Sequence, residues 1–280
     1  MKPITIRLNE KTTNLKAFLF PDGQPHIQLN TSTVNELVAE TGVQVIAPLR
    51  NSEEVMNLLM LSNALDHAFV KKSILVIPYL MGARSDRVTQ TGDAVGLEVM
   101  AELINSCNFE RVNLFDVHSD VATALIKRCK NHNNSLLVKA YDKEDAVLIV
   151  PDAGAAKKVA KYMEWNPNIK HVVNCVKERD LSDKGKITLK VIDPLECHKR
   201  HCVIIDDLCD GGGTFNAIAD SLRKTDVKPI TLTLIVSHGI FSKGLAPLAC
   251  FDEIITSDSY SSFDYDNPML KVVPIFSNLK

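Results

Sequence analysis

The sequence predicts an α/β fold with two domains, each built around a mainly parallel sheet flanked by helices. Short apolar, β-branched runs alternate with stretches of helical periodicity along the chain, as in proteins whose parallel sheets are covered on both faces. The alternation occurs twice. A chain of 280 residues with 45% hydrophobic content is also long enough for two ordinary domains with full cores.

The first half opens with a predicted hairpin over residues 15–29, because Pro21, Asp22 and Gly23 form a turn signal between two extended runs. One predicted helix has an apolar face formed by Val55, Leu58, Leu59, Leu65 and Phe69. In chain order we predict strands over 43–49, 73–78 and 112–115, and helices over 53–69, 96–104 and 121–129.

The second half repeats the pattern. We predict strands over 146–150, 172–176, 187–191, 202–205 and 230–236, and helices over 153–162 and 214–222. The polar stretch 130–135 is the predicted junction, which gives domains over residues 1–135 and 136–280. Residues 259–266 are polar and aromatic and are predicted to form a loop.

Composition narrows the function classes. A net charge of -2 and a pI near 6.4 give no electrostatic case for nucleic acid binding. The N-terminus lacks an apolar signal core and no apolar run has membrane-spanning length, so we expect no membrane association. Seven dispersed cysteines suit a reducing, cytoplasmic environment. Residues 197–202 contain two Cys and two His, but their spacing is too tight for a usual zinc site.

The most informative segment is 203–214, where an apolar run leads to Asp206, Asp207 and Asp210 and then to three glycines and Thr214. A strand that ends in a glycine turn and opens a helix directs backbone N–H groups at one point, which is a binding site for phosphate. Carboxylates beside a phosphate are explained if they bind sugar hydroxyls or Mg²⁺. The segment therefore indicates a phosphorylated sugar.

This segment resembles the ribose 5-phosphate loop of phosphoribosyltransferase-type proteins, which reads Asp-Asp-x-x-Asp-Thr-Gly-Gly-Thr, with glycine in place of threonine at 211. The resemblance implies two phosphoribosyltransferase-like domains. It also implies that the aspartates hold ribose hydroxyls, directly or through Mg²⁺, and that the following residues bind the 5-phosphate. The implied ligands of ribose 5-phosphate are Asp206, Asp207, Asp210, Gly211, Gly212, Gly213 and Thr214.

Further segments resemble the ribose-phosphate pyrophosphokinase family. Residues 20–24 are similar to its Phe-x-Asp-Gly-Glu hairpin, and residues 77–87 to its Ile-Pro-Tyr-x-x-Tyr-Ala-Arg-Gln-Asp-Arg segment. Gln24, Gly82 and Ser85 depart from those patterns. The resemblance implies that ATP is bound by Phe20, Asp22, Gln24, Arg84, Ser85, Asp86 and Arg87, with Phe20 stacked on adenine across a dimer interface.

Two strand ends supply the metal ligands that the resemblance implies. His118, in Asp-Val-His-Ser, and Asp152, in Pro-Asp-Ala-Gly, stand where the family holds Mg²⁺. Lys177 and Arg179 resemble the family's Lys-x-Arg at the base of a catalytic loop. Because they are two apart on a predicted strand edge, they could clamp the transferred group and stabilise its developing charge. Residues 237–242 also resemble a family segment, Thr-His-Gly-x-Phe-Ser.

The resemblance implies a homo-oligomeric, Mg²⁺-dependent enzyme that transfers the β,γ-diphosphoryl group of ATP to the anomeric hydroxyl of ribose 5-phosphate, giving phosphoribosyl pyrophosphate and AMP. Two alternatives remain open. A phosphoribosyltransferase that consumes phosphoribosyl pyrophosphate would share the sugar loop but not the nucleotide segments. A catalytically silent regulatory homologue would keep the fold, and the departures at Gln24, Gly82, Ser85 and Gly211 fit such a protein.

Overall fold

The computed structural model describes residues 4–8, 11–40, 42–180, 186–261 and 267–275. The chain divides into two compact units, with the boundary between Asn133 and Asn134; the second unit extends to Ile275. Each unit has its own sheet and its own apolar core, and each is described by itself below.

Unit 1 contains a six-stranded sheet of order β2-β1-β5-β6-β7-β8 and a separate two-stranded hairpin, β3-β4. β1 pairs antiparallel with both β2 and β5, whereas the other pairs in the larger sheet are parallel. Its elements are β1 (Thr5–Leu8), β2 (Lys11–Asn14), β3 (Lys16–Leu19), β4 (Pro25–Gln28), α1 (Thr31–Ala39), β5 (Val43–Ile46), α2 (Ser52–His67), β6 (Lys72–Ile77), α3 (Gly96–Ser106), β7 (Arg111–Phe115), α4 (Val121–Leu125) and β8 (Cys129–His132).

Local sequence explains where the longer helices of unit 1 begin. Asn51 caps α2 by accepting a hydrogen bond from the Glu54 amide at 2.9 Å, and the carboxylates of the first helical turn complement the helix dipole. Asn30 caps α1 in the same way. The core between the sheet and its helices includes the fully buried Val45, Leu61, Leu75, Leu97 and Leu114.

Unit 2 contains a seven-stranded sheet of order β11-β10-β9-β12-β13-β14-β15, in which only the β10–β11 pair is antiparallel. Its elements are α5 (Ser135–Lys139), β9 (Ala146–Val150), α6 (Ala153–Ala156), α7 (Val159–Trp165), β10 (Ile169–Asp180), β11 (Lys186–Val191), β12 (His201–Cys209), α8 (Gly213–Arg223), β13 (Thr231–Gly239), β14 (Glu253–Ser257) and β15 (Leu270–Val273), with short 3₁₀ helices at Pro194–Cys197 and Ala246–Leu248.

The central strands of unit 2 are largely buried because both faces of the sheet are covered. Every residue of β9 is buried, and β13 is buried beyond its first residue. α8 packs its buried face, formed by Phe215, Ile218, Ala219 and Leu222, into this core. The expected α/β class with mainly parallel sheets is confirmed.

The bounds of several predicted elements differ from the structure, and three of these differences have a local explanation. The helix expected over 121–129 ends at Leu125 and is followed by β8, an edge strand of polar sequence that, among the described residues, pairs with β7 alone. The helix expected over 153–162 divides into α6 and α7, because the Lys158 amide bonds to Ala155 in a tighter i−3 pattern. The strand expected over 202–205 continues to Cys209, since its pairing with β13 extends to Gly239.

Two expectations reach beyond what the structure describes. Of the predicted loop 259–266, residues 262–266 lie outside the described residues, and residues 259–261 form neither helix nor strand. In the ranges that are described, no helix has both the length and the apolar character needed to cross a membrane.

Candidate active site

In unit 2, the acidic residues of the candidate sugar site belong to the end of β12. Asp206 and Asp207 are the sixth and seventh residues of the strand, and Asp210 follows it directly. The Asp207 amide donates a hydrogen bond to Asp206 Oδ1 at 2.8 Å. Because successive strand residues point to opposite faces, the two adjacent carboxylates are held in different directions rather than side by side.

Asp206 has an unusual proton affinity. Burial, followed by the neighbouring charge of Asp207 and that of Asp152, raises the pKa of Asp206 to about 7. Lys158 acts in the opposite direction, so this lysine lies within electrostatic reach of the acidic cluster. Lys158 was not predicted from the sequence, because it is one of several lysines in the helix predicted over 153–162 and nothing in the sequence distinguishes it.

The glycine turn after β12 has the geometry that an anion site requires. Gly212 adopts a left-handed conformation with φ 76°, and a β-carbon at this position would lie 2.6 Å from Leu248 Cδ2. α8 then starts at Gly213, and within the described residues its N-cap has no side-chain hydrogen bond. The first backbone N–H groups of the helix thus face the turn, as expected for a phosphate-binding loop.

In unit 1, the arginine segment and the histidine segment line one cavity. The cavity has a volume of about 570 Å³. It is lined by Arg84, Ser85, Asp86, Arg87, Thr89, Asp93, Ala94 and His118. His118 follows β7 and the arginines follow β6, so the parallel pairing of these neighbouring strands brings the two segments to the same edge of the sheet.

Arg87 is held in this cavity by a hydrogen-bonded chain. Its guanidinium donates from Nε to Asp86 Oδ1 at 2.7 Å and from Nη2 to Asp86 Oδ2 at 2.9 Å. Ser119 Oγ donates to Asp86 Oδ2 at 2.7 Å. The bonds from Arg87 and then Ser119 hold the pKa of Asp86 well below its usual range, so the carboxylate is ionised and the paired guanidinium is oriented.

Ser85 joins the arginine segment to the start of α3. Its hydroxyl donates to the Ala94 carbonyl at 3.1 Å and accepts from the Gly96 amide at 3.1 Å, and its carbonyl accepts from the Leu97 amide at 3.0 Å. Gly82 approaches the same point with φ 80°, and a β-carbon there would lie 3.3 Å from the Gly96 carbonyl carbon. Gly82 and Ser85, which both depart from the family pattern, therefore contact the same residue, Gly96.

The β3–β4 hairpin presents an aromatic group. Phe20 is 41% exposed, and its ring centroid lies 5.2 Å from that of Phe18 and 5.3 Å from that of His26. The turn is closed by Asp22, whose Oδ1 accepts from the Gln24 amide at 3.1 Å. Asp22 thus shapes the turn, and the exposed Phe20 ring is available for stacking.

The remaining site residues are placed as follows. Asp152 Oδ1 caps α6 by accepting from the Gly154 and Ala155 amides at 2.9 and 3.0 Å. His118 belongs to unit 1 and Asp152 to unit 2. Lys177 and Arg179 lie in β10, opposite Leu189 and Ile187, but their side chains are outside the described part of the structure. Over the described ranges, no group of three or more His, Cys, Asp or Glu side chains is arranged to hold a metal ion.

The fold and the two candidate sites together describe an α/β protein with two mainly parallel sheets, a glycine turn after β12 in unit 2 and a cavity lined by two arginines in unit 1. Comparisons with known proteins agree. Residues 1–107 match the family described as the N-terminal domain of ribose phosphate pyrophosphokinase. The ribose-phosphate pyrophosphokinase of Pyrococcus abyssi is 25% identical over 238 residues, which are 82% of this chain and 78% of that protein.

Two further proteins extend the comparison. The ribose-phosphate pyrophosphokinase of Mycoplasma pneumoniae is 26% identical over 93% of this chain and 81% of its own length. The crystal structure of phosphoribosylpyrophosphate synthetase from Mycobacterium smegmatis shares the fold with a TM-score of 0.78, at 20% identity, over 94% of this chain and 86% of that one. The resemblance of the chain to the ribose-phosphate pyrophosphokinase family is confirmed, and the comparisons support an enzyme of this type.

Proposed function

We propose that the protein is a ribose-phosphate diphosphokinase that forms phosphoribosyl pyrophosphate and AMP from ribose 5-phosphate and ATP. The observation that carries the proposal is the cavity of unit 1, where Arg84, Arg87 and His118 from two separate segments surround one space. A phosphoribosyltransferase needs the sugar loop alone, whereas a kinase also needs a nucleotide site. Guanidinium groups are suited to phosphate oxygens, and an imidazole can contribute to binding the metal of a nucleotide–metal complex.

The sugar phosphate is assigned to unit 2. The turn from Gly211 to Thr214 binds the 5-phosphate through backbone N–H groups, and Asp206, Asp207 and Asp210 accept hydrogen bonds from the ribose hydroxyls. The raised pKa of Asp206 fits this role, because a hydroxyl or a cation brought to the carboxylate would relieve the unfavourable burial of its charge.

The chemistry of the unit 2 carboxylates suits Mg²⁺, although the described side chains do not by themselves form a site of three or more ligands. Carboxylate oxygens are the ligands this cation prefers, and the charges of Asp207 and Asp152 both act on Asp206. We assign these carboxylates to a divalent cation, and we assign His118 to the Mg²⁺ that accompanies ATP. The cation supplies charge neutralisation for the transferred diphosphoryl group.

The protein residues are assigned to binding, orientation and charge stabilisation. The anomeric hydroxyl attacks the β-phosphorus of ATP, the bond from that phosphorus to the AMP oxygen breaks, and the hydroxyl proton is released. Arg84 and Arg87 orient the nucleotide phosphates, and Lys177 and Arg179 stabilise charge on the group in transfer. Phe20 stacks on adenine, and we assign this contact to the nucleotide site of a neighbouring copy in a homo-oligomer.

The deciding experiment is an assay of AMP release from ATP with and without ribose 5-phosphate, in the presence of Mg²⁺. We expect release only when the sugar phosphate is present, and we expect Arg87→Ala to raise the KM for ATP. Arg111→Ala is the matched control, because Arg111 is an exposed arginine at the opposite end of β7 from His118. No release by the unmodified protein, with ATP and ribose 5-phosphate still bound, would identify a catalytically silent homologue instead.

A further inference from the structure

The turn that follows β13 is built against the candidate phosphate loop. The amides of Ile240 and Phe241 both donate to the carbonyl of Cys209, at 2.9 and 3.1 Å, and Cys209 is the last residue before the Asp210–Gly211 turn. The Gly244 amide donates to Phe241 O at 2.8 Å and closes the turn. These residues overlap the segment 237–242, which the proposed mechanism leaves without a role.

The same turn is anchored to the rest of the sheet by buried polar contacts. His238 is 3% exposed, and its Nδ1 lies 2.8 Å from Ser259 Oγ. Ser259 Oγ donates in turn to the Ser237 carbonyl at 3.1 Å. The Phe241 ring is packed so closely on Gly239 that a β-carbon there would lie 2.3 Å from the ring. The backbone that leads to residue 243 is therefore held by the His238–Ser259 contact and by the packing of Phe241 on Gly239.

Lys243 projects from this turn over Gly211. A β-carbon built on Gly211 would lie 3.5 Å from Lys243 Cε and 3.8 Å from Lys243 Nζ. The ammonium group thus occupies the neighbourhood in which the family pattern has a threonine side chain. Within the described residues, Lys243 has no hydrogen-bond or ion-pair partner of its own.

The negative charge of the loop over residues 206–214 indicates a role for Lys243. From Asp206 to Thr214 the chain carries three carboxylates and no basic residue. A phosphate dianion would be attracted by the start of α8 but repelled by those carboxylates. A threonine at 211 would offer one neutral hydroxyl donor, whereas a lysine offers a full positive charge and three N–H donors.

We propose that Lys243 is a phosphate-binding residue of this loop and replaces the hydroxyl donor that Gly211 lacks. The ligand class is a phosphomonoester dianion, and Lys243 gives the loop its preference for a phosphorylated over an unphosphorylated sugar. The proposal rests on the proposed function for the identity of the sugar, ribose 5-phosphate.

Calorimetric titration with ribose 5-phosphate, inorganic phosphate and ribose tests this assignment on the full chain. We expect Lys243→Met to weaken ribose 5-phosphate binding about tenfold, since an exposed charged donor contributes near the lower end of its usual range. Inorganic phosphate should weaken in parallel, and Lys243→Arg should keep most of the affinity. Lys224→Met, at the far end of α8, is the control and should change nothing.

The outcomes separate this assignment from the proposed reaction. If the unmodified protein binds ribose 5-phosphate without releasing AMP, and Lys243→Met weakens that binding, the lysine assignment stands and the reaction is wrong. If AMP is released and Lys243→Met leaves both the affinity and the KM for ribose 5-phosphate unchanged, the reaction stands and the lysine assignment is overturned. Equal losses in Lys243→Met and Lys224→Met, or no binding of either anion by the unmodified protein, would also overturn it.

Discussion

Gly212→Ala and Gly211→Ala change neighbouring glycines by the same methyl group, and the structure gives them opposite outcomes. Gly212 has φ 76°, and its added β-carbon would lie 2.6 Å from the side chain of Leu248, which is 1% exposed. Gly211 has no positive φ, and its nearest neighbour would be Lys243 Cε at 3.5 Å, an ordinary contact with a flexible side chain.

The magnitude follows from three contributions. A left-handed conformation costs alanine about 1–2 kcal/mol, and forcing a methyl group against a packed side chain costs about 1–3 kcal/mol. The loss of unfolded-state entropy returns about 0.4–1 kcal/mol. We therefore expect Gly212→Ala to destabilise unit 2 by about 1–5 kcal/mol, and Gly211→Ala to be neutral or slightly stabilising.

The assay is thermal unfolding followed by calorimetry, in phosphate-free buffer, with both variants measured beside the unmodified chain. For a unit of this size we expect Gly212→Ala to lower the Tm by about 3–15 °C, and Gly211→Ala to change it by less than about 2 °C. Equal Tm values for the two variants would refute the reasoning, because they would show that neither the backbone conformation nor the Leu248 contact matters at Gly212.

Three further predictions concern the chemistry. Lys177→Ala should lower the turnover of AMP release about a hundredfold or more while changing the ATP affinity little, because its charge is needed in the transition state; near-normal turnover would remove it from the mechanism. Ser119→Ala should raise the Asp86 pKa, measured by carboxyl NMR, because Asp86 loses a hydrogen-bond donor. It should also raise the KM for ATP about threefold, because Arg87 is held less firmly. An unchanged Asp86 pKa would contradict this prediction. Asp206→Asn should be more stable than the unmodified protein at pH 8 in chelator, and equally stable near pH 4. The Asp206 carboxyl has a raised pKa of about 7 in the folded protein, so between about pH 4 and 7 it binds more protons than in the unfolded chain. Its ionisation therefore lowers the free energy of unfolding by up to about 1.4 kcal/mol per pH unit as the pH rises through that window. Parallel pH profiles of urea unfolding for the variant and the unmodified protein would exclude this contribution of Asp206.

Apolar periodicity in the sequence was sufficient to predict most of the sheet and helix framework. The helix predicted over 53–69 is α2, Ser52–His67, but Phe69 of its predicted apolar face lies beyond the helix and is 92% exposed. β8 was not predicted, because Cys129–His132 is polar and, within the described residues, pairs with β7 on one side. A strand of that kind is specified by its neighbour rather than by its own residues.

The candidate sites could be predicted only where local sequence determines them. The arginine segment and His118 could be assigned to strand ends, and the parallel order of β6 and β7 brings them to one cavity. The raised pKa of Asp206 and the approach of Lys243 to Gly211 were not predictable, because both depend on residues distant in sequence that only the folded chain brings near. Lys243 is 32 residues after Gly211 in the chain.

The contact among Gly82, Ser85 and Gly96 has an evolutionary consequence. The positive φ of Gly82 and its close approach to Gly96 disfavour the family's tyrosine, and the Ser85 hydroxyl accepts a hydrogen bond from the Gly96 amide. A side chain at Gly82 would press on the Gly96 backbone, and replacing Ser85 would remove the acceptor of the Gly96 amide. Gly82 and Ser85 should therefore show epistasis: restoring the family residue at one of them alone would be harmful, and a lineage could pass between the two patterns only by replacing both.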